Sequence, residues 1–211
     1  MNEAIYGHIA RTRREVAAWL SGIDEATWEA PTLCAGWTVR IVAGHLISPL
    51  VLSQPQMALA GAKAGFRFHT LMDQTARRLA TRPTAEIVQA LETGAEHRWV
   101  PPIAGPRAIL LDVTTHHMDM RWPQKDPPEL DPSVALTLLN FLVSGNVVLK
   151  VATPNRFEGV RLEAEDLAWT YGDGPLARGP ADALLLAMAG RPAGIDRLAG
   201  DGVAVLRGRA S

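Results

Sequence analysis

The sequence predicts an α+β protein, with a helical domain over residues 1–154 followed by a small α+β domain over residues 155–211. Three observations carry this expectation. Through most of the first part, apolar residues recur every three or four positions, the period of a helix with one buried face. After Pro154 and Asn155 the texture changes, and Gly159 to Ala164 alternates with period two. A length of 211 residues, 47% of them hydrophobic, suits one medium domain plus one small one, with enough apolar surface for a core.

The helices follow in order. Ile5, Ile9, Val16 and Leu20 place the first over residues 3–20, with Arg11, Arg13 and Arg14 expected on its solvated side. After a loop holding Pro31 and Gly36, Thr38 is a natural N-cap for a helix to about residue 60, which Pro49 and Pro55 must kink or divide. Residues 67–82 form a third helix with Phe68, Leu71 and Leu79 inward, and Thr84 caps a short fourth through about residue 96. Pro101 and Pro102 break the chain before a central helix that opens near Pro106 and stops by Pro123. Asp131 and Pro132, as N-cap and N1, start a further helix that Pro154 and Asn155 end. Its Val134, Leu138, Phe141, Leu142 and Val148 are apolar nearly all round, which suits the centre of a bundle or a homodimer interface. Beyond residue 155, the alternation and Leu167 to Tyr171 read as two short strands. Pro180 then opens a helix through Leu184, Leu185 and Met188, and Val203 to Leu206 reads as a last strand.

Composition narrows the function. A net charge of −1 argues against general nucleic-acid binding, which needs a basic surface. The longest uncharged run, Pro132 to Leu149, is short and polar for a membrane span and reads as a buried helix. The first residues carry no basic and apolar signal pattern, so secretion is not expected. The single cysteine, Cys34, fits a reducing cytoplasm. It reads as a small buried hydrophobe with no partner base in view.

The chemistry concentrates on the central helix. Asp112 and His116 are four residues apart and share one helix face, so both can reach one divalent ion. The candidate for the third donor is His45, set in the apolar stripe of Val39, Val42 and Leu46, where a plain core histidine is the other reading. His117 could stand in for His116 but points about 100° away. Asp119 is either a local hydrogen-bond partner or the acceptor that orients a ligand imidazole. Two histidines and a carboxylate suit zinc, and also iron, manganese or nickel.

The same residues carry a resemblance. Thr32 to Arg40, leading to Gly44, His45 and Leu46, resembles the C-x-G-W-T-V-R-x-x-x-x-H-L signature of the mycothiol-dependent maleylpyruvate isomerase family, in the wider DinB-like group. The central helix is similar to that family's E-x-x-x-H-x-x-D element, and Leu167 to Pro175 with Gly179 to Arg191 resembles its C-terminal domain. The resemblance implies a DinB-like four-helix bundle holding a divalent metal, usually zinc, followed by a small sterol-carrier-like α/β domain. It assigns the metal ligands to His45, Asp112 and His116. The sequence departs from the family at Asp112, where glutamate is usual, and at Ile41, where an acidic residue is common.

On this resemblance the expected protein is a cytoplasmic enzyme. It activates mycothiol as a thiol co-substrate for attack on a small electrophile, with isomerisation or S-transfer as the outcome. An arginine near an interdomain cleft would hold an anionic substrate, with Arg82, Arg191 and Arg207 as candidates. The rival readings are a non-catalytic metal-containing binding or regulatory protein, and a metal-dependent hydrolase using Asp119 as base.

Overall fold

The computed structural model describes residues 2–53, 55–56, 68–98, 105–144 and 157–210. The chain divides into two compact units, Met1–Pro101 with Asp112–Pro127, and Pro102–Leu111 with Pro128–Ser211. The boundary expected near residue 155 lies outside the described residues, as do Val148 and the helix end at Pro154 and Asn155. Among the described residues no helix is long and apolar enough to cross a membrane.

The first unit is helical. Helix α1, Asn2–Gly22, buries Ile5, Ile9, Val16 and Leu20 as the spacing predicts. Arg13 departs from the expected solvated face. It lies four residues after Ile9 on the inward side, is 3% exposed, and donates to the carbonyls of Gly94, Ala95 and His97. A guanidinium with donors to spare thereby closes the chain end that follows a neighbouring helix. The flanking Arg11 and Arg14 are exposed.

A one-turn helix α2, Glu25–Trp28, follows under an Asp24 cap. Helix α3, Val39–Val51, starts at Thr38, whose hydroxyl accepts from the Ile41 N–H. It contains Pro49 and is C-capped at Leu52; Pro55 and Gln56 are helical again, so the stretch is divided before Pro55, and residues 57–60 lie outside the described residues. Helix α4, Phe68–Ala80, packs along α3, and Gly44 is what lets it approach. A Cβ there would lie 2.5 Å from the Ala76 carbonyl oxygen. Helix α5 covers Thr84–Thr93 with Pro83, not Thr84, at the N-cap, because the Pro83 carbonyl takes the Glu86 and Ile87 N–H groups. Helix α6, Gly105–Arg121, contributes its residues from Asp112 onward to this unit. Val16, Leu20, Trp28, Val42, Ile47 and Leu91 are among the residues that close the core.

In the second unit, α7 spans Pro132–Leu142 with Asp131 accepting from the Ser133 N–H. Strands β1 (Arg161–Ala164), β2 (Thr170–Tyr171) and β3 (Leu176–Gly179) form a sheet ordered β2-β1-β3. β1 pairs antiparallel with β2, Leu162 opposite Tyr171, and parallel with β3, Leu162 opposite Ala177. β3 is absent from the sequence reading because its four residues sit between a Gly-Pro turn and the helix start at Pro180. Helices α8 (Ala181–Met188) and α9 (Pro192–Ile195) follow.

The strand expected over Val203 to Leu206 is instead part of helix α10, Gly202–Ala210. Buried Val203 and Leu206 are three apart with exposed Ala204 between them, a helical pattern that a four-residue apolar run cannot announce. Arg178 of β3 forms an isolated bridge with Ala199.

Candidate metal centre

The centre forms where α3 and α6 face each other inside the first unit. Asp112 and His116 stand one turn apart on α6, and His45 comes from α3 just after the Gly44 contact. The His45 Nε2 is 3.3 Å and the His116 Nε2 3.6 Å from the same Asp112 oxygen. The two imidazoles meet edge to face at 4.9 Å between ring centroids. Donor atoms of all three lie within 4.8 Å of one another, so one ion could touch them all.

The rest of the setting decides which nitrogen is presented. Asp119, 0% exposed, sets its Oδ2 2.9 Å from the His116 Nδ1. A buried carboxylate there keeps the proton on Nδ1 and leaves the Nε2 lone pair aimed at Asp112, as a metal ligand needs. Of the two readings of Asp119, the orienting one agrees with the geometry. Burial alone would pull the His45 pKa down, but the charge of Asp112 and its hydrogen bond outweigh it and the net shift is upward. The imidazole therefore has a cation-seeking carboxylate beside it that a bound proton or a metal can answer. The donor set, its spacing and the backing of His116 all fit a divalent ion.

Cys34 is not the inert hydrophobe the sequence suggested. Its Sγ is 3.1 Å from the Asp119 Oδ2 and 3.6 Å from the His116 Nδ1, and these three form a second group with ligand spacing. The partners stand more than eighty residues away in sequence, which is why no local pattern shows them.

Trp37, read in the sequence only as the tryptophan of the signature, stands beside both histidines. Its ring centroid lies 5.4 Å from His45 and 6.2 Å from His116. The loop before α3 folds to place both residues. Thr32 Oγ1 takes the Cys34 N–H and donates to the Trp37 carbonyl, and Gly36 supplies a φ of +76°.

His117 cannot replace His116. It is 3% exposed and belongs to neither donor group. Its Nε2 is 3.4 Å from an Arg121 guanidinium nitrogen, and burial together with that charge pushes its pKa down to about 3. The three arginines considered for anion binding divide between the two units. Arg82 follows α4 beside Glu86 in the first unit, whereas Arg191 and Arg207 belong to the second, bonded to the Ala189 carbonyl and to Asp196.

Residues 9–100 match the family model described as the mycothiol maleylpyruvate isomerase N-terminal domain. No curated protein matches the chain significantly. A solved structure titled as the mycothiol-dependent maleylpyruvate isomerase matches 95% of this chain and 93% of its own, with a TM-score of 0.58 at 12% identity. A second structure of that isomerase, a histidine-to-alanine mutant, gives 0.57 at 13% identity over the same shares. The chain thus has the mainly helical α+β fold of that isomerase, and over residues 9–100 it is similar to the mycothiol maleylpyruvate isomerase N-terminal domain.

Proposed function

We propose that this protein is an enzyme that uses mycothiol at a divalent metal centre held by His45, Asp112 and His116 to attack a small electrophilic substrate. What carries the reading is the convergence of those three donors in the unit that matches the family model. A divalent ion in a two-imidazole, one-carboxylate site, zinc above all, stabilises a nearby thiolate at neutral pH.

The chain's own residues do the rest. His45 and His116 offer their Nε2 atoms, and Asp119 keeps the His116 ring from turning. The Asp112 side chain, 43% exposed, marks the side from which solvent and small molecules reach the centre. The thiol gives up its proton to solvent, and its sulfur adds to a double-bond carbon conjugated with a substrate carbonyl, whose oxygen takes up the displaced π electron pair. If a former double bond rotates before the carbon–sulfur bond breaks again, the outcome is isomerisation of the maleylpyruvate type. If the adjacent carbon instead takes up a proton from solvent, the carbon–sulfur bond remains and the outcome is S-transfer. Hydrolysis would require Asp119 as a free base, yet its Oδ2 is already engaged by His116 and Cys34.

On the same reading, the helices through residue 154 are a DinB-like four-helix bundle and residues 155–211 a sterol-carrier-like domain. The protein works in the cytoplasm as a homodimer.

Elemental analysis tests the centre. Wild-type protein should carry about one equivalent of divalent metal, and His45→Ala and His116→Ala should each lose most of it. Full metal content in both variants would sink the triad. Metal-replete protein should also bind mycothiol and turn over maleylpyruvate or a related electrophile; saturating metal without thiol binding would overturn the enzyme reading.

A further inference from the structure

We propose that Trp37 is a positioning residue of the metal centre, an indole wall that fixes both ligand imidazoles and is itself latched by Asp73 and Arg77 of α4. The inference rests on the metal reading above and adds to it a part that neither helix spacing nor the donor set supplies.

The observation is a closed set of contacts around one ring. The Trp37 indole lies against both histidines at once, nearly parallel to His116 (27° between planes) and tilted to His45 (48°). Its Nε1 donates to the Asp73 Oδ1 at 2.9 Å. Arg77, one turn further along α4, donates to both oxygens of Asp73 at 2.9 and 3.0 Å and to the Gly36 carbonyl at 3.0 Å. The carboxylate that grips the indole is thus neutralised by an arginine that also grips the residue before it.

The physical need is clear for His45. Asp119 secures His116 at its Nδ1, whereas His45 is held by Asp112 at its Nε2, by the edge-to-face contact with His116 and by the tilted Trp37 ring. A ligand ring that swings about its χ angles in the free protein must be frozen on binding, and that entropy weakens affinity. An aromatic wall removes the freedom in advance and excludes water from one side of the rings. Trp37 lies 36 residues before Asp73 in sequence, and α4 supplies the latch only because Gly44 lets it approach α3.

The test is titration of metal-free protein with Co²⁺, following affinity and the visible absorption of the bound ion. Trp37→Ala should weaken binding by about 10- to 100-fold, the usual effect of losing a group that orients ligands, and should alter the absorption bands. Trp37→Phe, which keeps a ring on the histidines, should recover most of the affinity. If Trp37→Ala does not fold, Asp73→Ala frees the indole without removing it and should weaken Co²⁺ binding in the same sense. Wild-type affinity and an unchanged spectrum in the folded Trp37→Ala, or in Asp73→Ala, would overturn the wall. Wild-type protein that binds no Co²⁺ would instead overturn the metal reading, and the wall with it.

Discussion

His116 and His117 are adjacent on α6 and live in opposite electrostatic worlds. His116 faces two carboxylates, Asp112 and Asp119, which suit it to hold a cation. His117 faces Arg121 in a buried site and is kept neutral, with its pKa pushed down to about 3 from an ordinary 6.5. Between those values the unfolded chain binds a proton there that the folded chain does not. The resulting stability is therefore complete above pH 6.5 and drains away as pH falls toward 3. The slope from this one group is at most about 1.4 kcal/mol per pH unit. Urea midpoints of metal-free protein between neutral and mildly acid pH should fall more steeply in wild type than in His117→Leu. Parallel slopes would mean that His117 titrates normally.

At the scale of elements, the centre depends on how closely α3 and α4 approach. Gly44 has no Cβ to meet the Ala76 carbonyl, and a methyl group there would also lie 2.7 Å from the Ala80 nitrogen. Both neighbours are backbone and cannot swing aside. Gly44→Ala should therefore destabilise the protein by about 1–3 kcal/mol, the range for overpacking a tight contact. It should also weaken metal binding, since His45 is the next residue. Gly7→Ala is the control: nothing lies within 4 Å of its Cβ position on α1, and the change should stabilise by up to about 1 kcal/mol through helix propensity. Denaturant midpoints for the two variants should move in opposite directions. A stabilised Gly44→Ala would show that α3 and α4 have room between them. The Arg13 contact belongs to this scale as well. One buried guanidinium ties α1 to the three carbonyls after α5, and no local rule separates it from the exposed Arg11 and Arg14.

At the scale of the molecule, all the proposed donors lie in the first unit, so metal binding is linked to the stability of that unit. A ligand at a hundred times its dissociation constant adds about 2.7 kcal/mol to the state that binds it. Zinc should raise the thermal midpoint of the transition that unfolds this unit, a chelator should reverse the change, and His45→Ala should not respond. Equal response in that variant would place the ion elsewhere. What the sequence alone determined is everything that depends on near neighbours. It set the helix periods, the caps at Thr38 and Asp131, and the one-turn spacing that puts Asp112 and His116 on one face. It also carried a family signature strong enough to suggest His45 as their partner. Only the tertiary structure decided what stands across the space between elements. It brought Cys34 to Asp119, set Trp37 between two imidazoles and Asp73, turned Arg13 inward, and wound Val203 to Leu206 into a helix beside β3. The reason is physical: local periods report which face of an element is apolar, while the partner of a polar side chain is set by chain closure over tens of residues, which leaves no trace in spacing.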